Sequence, residues 1–286
     1  MTFDSTVRFV GMVTRNAPRV RPRRVPRGSP PTLLEAEYAR KLASWIAELR
    51  SDLQPLVALV SAPRFDGVRL DESGHGRRVR ELAGPVRRKI DRDMGRLEPD
   101  VARAGQSVAD AQKRLLDRQT KAALGVEVPT QDEQVPRVID SFVSKNLTRI
   151  RNLSDKLVGE VEIIVIDAWD RGLSESEVAA EIEKRIGVAE SYARFLARDQ
   201  MGSLYSQVTR ARHDELGVRL FRWWTEGDGK VRPSHAVKHG KIFPYAGSRA
   251  PSFFPGEEVG CRCWPEPVLQ EIKAALLAGT NRRRAA

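Results

Sequence analysis

Only two cysteines, four histidines and five tryptophans occur among 286 residues, and aromatic side chains make up 6% of the chain. The two thiols, Cys261 and Cys263, stand one residue apart. That spacing excludes a disulfide framework, because a bridge over so short a span strains the geometry a disulfide prefers. They are therefore ordinary thiols or metal ligands. Long hydrophobic runs are also missing. The longest mostly apolar window, 161–169, is interrupted by Glu162 and Asp167 and falls far short of the roughly 20 residues a bilayer demands. A secretory leader is not expected either, since the apolar run 9–13 is too short and basic residues follow it rather than precede it. The expectation is a protein of cytoplasmic origin with no membrane partner.

Acidic residues are in deficit. Forty-nine Lys and Arg against 38 Asp and Glu leave a net charge of +11 and a pI near 10.0, which favours encounter with polyanions. Much of the excess sits at the two ends. Residues 1–31 read as an extended basic arm, with Arg15, Arg19, Arg21, Arg23, Arg24 and Arg27 interleaved with prolines. A second basic tail, Arg282, Arg283 and Arg284, closes the chain. Both are candidate contacts for nucleic acid or an acidic protein surface.

Between the ends the chain is charge-rich (30%) and 41% hydrophobic, and its apolar residues recur at helical spacing. The fold class expected is mainly α: long helices forming an elongated helical body, followed by a small C-terminal α+β module. In 32–126, a helix opens at Thr32 and Pro55 interrupts or kinks it. A loop with glycine breakers is expected over 61–76. One or two long helices follow, broken near Gly84-Pro85 or Glu98-Pro99. Residues 127–137 read as a linker and domain boundary. A helical core over 138–217 then contains a long helix stopped by Gly172, a short helix opened by the capping box Ser174-x-x-Glu177 and stopped by Gly187, and a further helix closed by Gly217. Tyr192, Phe195, Leu196, Leu204, Tyr205, Val208 and Leu216 form the inner face expected for that last helix. Residues 218–267 form the small α+β module, with a strand over 218–224, a turn at Gly227-Asp228-Gly229 and a second extended piece at 241–243. A C-terminal helix and the basic tail occupy 268–286.

The rarest residue types crowd into the stretch from Trp223 to Pro265: three of the five tryptophans, both cysteines and two of the four histidines. Two imidazoles, His235 and His239, with two thiols, Cys261 and Cys263, compose a ligand set that zinc prefers. If the His-x3-His segment is helical, both rings share one side of a turn. The opposing reading keeps His235 hydrogen-bonded within the fold, pairs Arg232 with Asp228 across the turn, and buries the thiols as small hydrophobes. A third arrangement uses Asp228, His235 and His239 to bind a metal for phosphodiester hydrolysis, steadied by Arg232. No phosphate-cradling glycine loop or nucleophile elbow supports it, so no enzymatic activity is expected.

The order of motifs resembles a known family. Ala193-Arg194-Phe195-Leu196-Ala197-Arg198-Asp199, then Glu215-Leu216-Gly217-Val218, Trp224, Asp228, Arg232-Pro233-Ser234-His235, Gly240, and finally Gly260-Cys261-Arg262-Cys263-Trp264-Pro265 is similar to the phage Mu F-like, or phage head morphogenesis, domain of minor head proteins. The resemblance spans about residues 138–267 and marks Trp224, Asp228, Arg232, Gly240, Gly260, Arg262 and Trp264 as motif residues. Relatives often carry an acid one step later than Asp199, a displacement of about 100° around a helix. The resemblance implies a virion component of a tailed phage, inside the head or at the portal vertex. Its expected partners are portal, scaffold and major capsid proteins and, for some members, packaged double-stranded DNA. An alternative role is a DNA-binding internal protein ejected with the genome.

Overall fold

A computed structural model describes residues 3–14, 26, 28, 30–61 and 72–274. Its elements are α1 (Phe3–Thr14), α2 (Thr32–Ala58), α3 (Glu72–Leu124), α4 (Val135–Arg171), α5 (Glu175–Glu215), β1 (Leu220–Thr225), the single turn α6 (Pro233–Ala236), β2 (Ile242–Pro244) and β3 (Cys263–Pro267). The architecture is mainly α with one small C-terminal sheet. No described helix is long and apolar enough to cross a membrane. The chain divides into two compact units, and neither is continuous in sequence: one gathers 1–35, 104–142 and 199–286, the other 36–103 and 143–198.

In the second unit, α2 buries Tyr38, Leu42, Trp45, Ile46, Leu49, Leu53 and Leu56, a stripe at steps of three and four residues. Two polar contacts fix its register on α4. The Tyr38 hydroxyl donates to Asn146 Oδ1 at 3.0 Å, and the Trp45 indole N–H donates to Ser154 Oγ at 3.2 Å. The helix runs through Pro55 to Ala58.

Several expected breaks are absent. Gly74 and Gly76 lie inside α3, which also passes through Pro85 and Pro99 without interruption. An interior proline costs about 3 kcal/mol through its missing N–H and its clash with the preceding turn. Both prolines face solvent, while Val79, Ala83, Val86, Ile90 and Met94 keep one buried stripe across Pro85, and this burial outweighs the cost. Gly187 does not stop a helix either. α5 is one helix whose buried face, Val178, Ile182, Ile186, Ala189, Ala193 and Leu196, crosses that glycine. Tyr192 and Phe195, expected inside, are exposed at 52% and 37%.

Other stops form as expected. Gly172 ends α4 at φ 67°, with its N–H on Trp169 and that of Leu173 on the Ala168 carbonyl, the left-handed cap glycine adopts at low cost. The capping box follows: the Ser174 N–H donates to Glu177 at 2.8 Å, and the Glu177 N–H to Ser174 Oγ at 3.3 Å. Gly217 closes α5 at φ 70°.

The first unit contains two surprises. Residues 3–14 are helical rather than extended, and Val10 is fully buried against a cluster of Leu116, Leu124, Val128, Leu216, Val218, Leu269 and Ile272. The prolines that forbid a helix begin only at Pro18. The stretch read as a linker, 127–137, lies inside this unit and is tied down. Arg212, 2% exposed, forks onto the Asp132 carboxylate with two bonds of 2.8 Å and reaches the Ala109 carbonyl and Gln112 Oε1 at 2.6 Å each. The Arg212 hydrogen bond holds the Asp132 carboxyl below the usual range.

The sheet belongs to the same unit. Its order is β2-β1-β3, antiparallel throughout, with Phe221 opposite Phe243, Trp224 opposite Trp264 and Thr225 opposite Cys263. β3 was not anticipated. Phe221 and Trp223 lie on one face of β1 and pack with Phe254 and Cys263, while Phe243, Tyr245, Phe253 and Cys261 flank them.

Candidate metal centre

α6 is a single turn opened by Arg232-Pro233, and the proline supplies a pre-set backbone angle at the first helical position. It carries His235 inward. The imidazole is 2% exposed, held between Trp223 (ring centroids 5.6 Å apart) and Phe253 (5.1 Å).

Both sulfurs converge on the same nitrogen of that ring. His235 Nδ1 lies 3.5 Å from Cys261 Sγ and 3.4 Å from Cys263 Sγ, and the three ligand atoms all sit within 4.8 Å of one another. A tetrahedral zinc with Zn–S of about 2.3 Å and Zn–N of about 2.05 Å sets its N and S ligands about 3.5 Å apart. The observed spacings meet that requirement.

The surroundings favour thiolates and orient the ring. His235 Nε2 is 2.7 Å from Glu258 Oε2, so the tautomer that donates from Nε2 leaves Nδ1 free. That is the carboxylate–histidine relay found behind metal-bound imidazoles. The Gly256 N–H donates to Cys261 Sγ at 3.4 Å. The Trp223 indole N–H is buried in the same cluster without a hydrogen-bond partner. The Cys261 pKa is pulled down to about 6, chiefly because its sulfur accepts a hydrogen bond from the Cys263 thiol. The same shared proton, with burial, pushes Cys263 up. A divalent cation bound by both sulfurs would take the place of the proton they share.

The loop carrying the thiols is fastened to α5. Asp199 Oδ1 accepts the Gly260 N–H at 2.6 Å. Gly256 sits so close to the helix that a Cβ there would fall 2.2 Å from Ser206 Oγ, and its φ of +88° is itself a glycine conformation. Arg232 reaches the Val259 carbonyl at 2.6 Å. Lys238 Nζ lies 3.8 Å from the centre of the Phe253 ring and 4.6 Å from that of Trp223.

The structure departs from the four-ligand expectation at His239. Its Nδ1 bonds Thr225 Oγ1 at 2.8 Å, and its ring meets Trp224 edge-on at 4.9 Å. The His-x3-His spacing does not act as a helical turn because α6 ends at Ala236. The chain then closes through i+3 bonds until the Gly240 N–H meets the Trp223 carbonyl at 2.7 Å. Asp228 does not pair with Arg232. Its carboxylate is held by Arg262, and Arg232 turns to Glu258. Asp228, His235 and His239 are thus engaged by different partners: Arg262, Glu258 and Thr225. Among the remaining motif residues, Trp224 donates to Glu266 at 2.9 Å, Gly240 and Gly260 adopt positive φ, and Trp264 is buried beside β1. The candidate arginines Arg15, Arg19, Arg21, Arg23, Arg24, Arg27, Arg282, Arg283 and Arg284 lie outside the described residues.

Sequence reasoning missed Glu258, and it did not foresee that Asp199 and Gly256 hold the cysteine loop against α5. The signal available for Gly256 and Glu258 was their place in Pro255-Gly256-Glu257-Glu258-Val259-Gly260, a short polar turn directly before the thiols.

Comparison with known proteins bears on this same region. Residues 159–265 match the family described as "Phage Mu protein F like protein", so the likeness carried by the motif order holds over that segment. An uncharacterized protein of Haemophilus influenzae is 31% identical over 174 residues, covering 59% of this chain and 39% of that protein. An uncharacterized protein of Methanocaldococcus jannaschii is 34% identical over 113 residues, covering 37% of this chain and 16% of that protein. The chain therefore spans well under half the length of either relative. No solved structure matches it.

Proposed function

We propose that this chain, carrying a Phage Mu F-like segment over residues 159–265, is a minor head protein of a tailed phage. In this reading it is a structural rather than catalytic component, present in the virion inside the head or at the portal vertex. It assembles with portal, scaffold or major capsid protein during head morphogenesis. The observation that carries the reading is the family match, which takes in the end of α4, all of α5, the cysteine loop and the sheet as far as Pro265 in one ordered segment. The net charge of +11 supports contact with packaged double-stranded DNA, since phosphate contacts from Lys and Arg need no base sequence. The converging His235, Cys261 and Cys263 hold zinc, which staples the cysteine loop to α6 beneath the sheet.

Deleting the reading frame from the phage that carries it tests the role. Loss of filled heads, with the protein detected by mass spectrometry in wild-type heads, is expected. Normal infectious titre together with absence from purified heads refutes it. DNA contact is tested by reversing Arg15, Arg19, Arg21, Arg23, Arg24 and Arg27 to Glu. Truncating residues 1–31 is unsuitable, because it also removes Val10 from the core. Gel retardation by the wild type should weaken steeply between about 50 and 200 mM salt, and the reversal should abolish it. Unaltered affinity removes the arm from the DNA interface.

A further inference from the structure

We propose that the His235–Cys261–Cys263 centre has only three protein ligands and that an exchangeable ligand from solvent, water or a small anion, completes the metal's coordination. This rests on the reading of the cluster as a zinc site and adds to it that the centre is open. Among the described residues, His235, Cys261 and Cys263 make up the whole converging group. His239, the other histidine of this segment, has its Nδ1 on Thr225 and does not join the group. Glu258 is bound to the far nitrogen of the His235 ring, so its carboxylate supports that imidazole from behind instead of facing the sulfurs.

Zinc keeps four ligands in structural sites, whereas three protein ligands and a water mark an open one, and two cysteines with one histidine are among the sets found there. The burial pattern gives the open side. His235 and Cys263 are each 2% exposed, while Cys261 is only half-buried, so solvent reaches the metal past Cys261. Charge decides the class of ligand. Two thiolates and a neutral imidazole cancel the charge of Zn²⁺, and the Lys238 ammonium lies over the two rings that clasp His235. A hydroxide or small anion is therefore favoured over a second cationic group. Gly256 points its N–H group at the Cys261 sulfur, which lowers the charge that thiolate places on the metal and leaves it able to accept a fourth donor.

Cobalt(II) in place of zinc makes the two parts of the argument separable. Full-length protein, freed of metal and titrated with Co²⁺, should take up one equivalent. It should develop the visible bands of four-coordinate cobalt with sulfur-to-cobalt charge transfer in the near ultraviolet. Azide or thiocyanate added to that complex should shift the visible bands saturably, and His239→Ala should give the same spectrum and the same shift. A four-coordinate cobalt spectrum that no anion moves means that the protein closes the site, and this overturns the proposal while leaving the metal reading intact. Loss or displacement of the bands in His239→Ala identifies His239 as the fourth ligand and also overturns it. No cobalt or zinc uptake removes the metal reading itself. Cys261→Ser, at the half-buried position, checks the ligand assignment in a variant whose buried side chains are unchanged; it should lose part of the charge-transfer band, and an unaltered band excludes Cys261.

Discussion

Acidification should weaken the unit built around the C-terminal end of α5, and His213 is the reason. Its ring is 0% exposed, and burial alone lowers its pKa from 6.5 to about 3. The unfolded chain takes up a proton near the ordinary value, while the folded chain refuses it until about pH 3. Between those limits the unfolded state binds more protons, so stability is complete above the unfolded pKa and falls as pH falls. From pH 7.5 to 5.5 this one group should cost about 1.4 kcal/mol, and a further unit of acidification about as much again. Nδ1 pairs with the Tyr245 hydroxyl, but Nε2 is buried without a partner, so an added proton finds no acceptor there. Asp214, whose carboxyl burial raises, pulls the other way, and the comparison must therefore be made against a variant. His213→Gln keeps an acceptor for Tyr245 and removes the titration. Urea midpoints at pH 7.5 and 5.5 should show the wild type losing about 1–1.5 kcal/mol more than His213→Gln over that interval. Parallel pH dependence in the two proteins refutes the argument, as does a His213 ring signal in carbon-13 spectra that titrates near pH 6.5.

Asp199→Ala removes a charge-assisted bond to the Gly260 N–H and should cost about 1.5–3 kcal/mol while weakening zinc in competition with a chelating dye; Asp199→Asn, which keeps an acceptor, should lose less. Equal metal affinity in all three proteins would show that α5 does not hold the cysteine loop. Gly256→Ala places a methyl 2.2 Å from Ser206 Oγ at a φ of +88°, so it should lower the melting temperature and loosen zinc. Adding Ser206→Gly should restore part of the loss, and a single variant of wild-type stability contradicts the close approach. Arg212→Met strands the Asp132 carboxylate and the Ala109 carbonyl and should cost about 3–5 kcal/mol in urea unfolding; a loss under about 1 kcal/mol would mean that water replaces the guanidinium.

The elements readable from sequence were those whose signal is local. Gly172 and Gly217 end helices because each carbonyl ladder needs a left-handed cap at one position, and Ser174 with Glu177 satisfies two donors within three residues. The misreadings share one cause. Gly187, Pro85 and Pro99 are weak or costly helix residues, but each sits in a helix whose buried stripe continues on both sides, and packing along tens of residues outweighs a single local penalty. His239 failed in the opposite direction: its spacing from His235 has helical form, but α6 is too short to make it so.

The candidate metal centre was half legible for a related reason. Residue type identified His235, Cys261 and Cys263, because few side chains bind a soft cation, but nothing in the sequence joins them to Asp199, which lies 61 residues before the glycine it holds. That acid read as a motif residue displaced by one step. In the structure its carboxylate anchors the N–H of Gly260, directly before the first thiol, so its position on α5 determines where the cysteine loop lies. A one-residue displacement along a helix turns a side chain by about 100°, enough to carry the carboxylate away from Gly260. Moving the acid to residue 200, by exchanging Asp199 with Gln200, should therefore weaken zinc binding about as much as Asp199→Ala does. Retained affinity in the exchanged protein would mean that the loop is held by Gly256 and the metal rather than by the acid on α5.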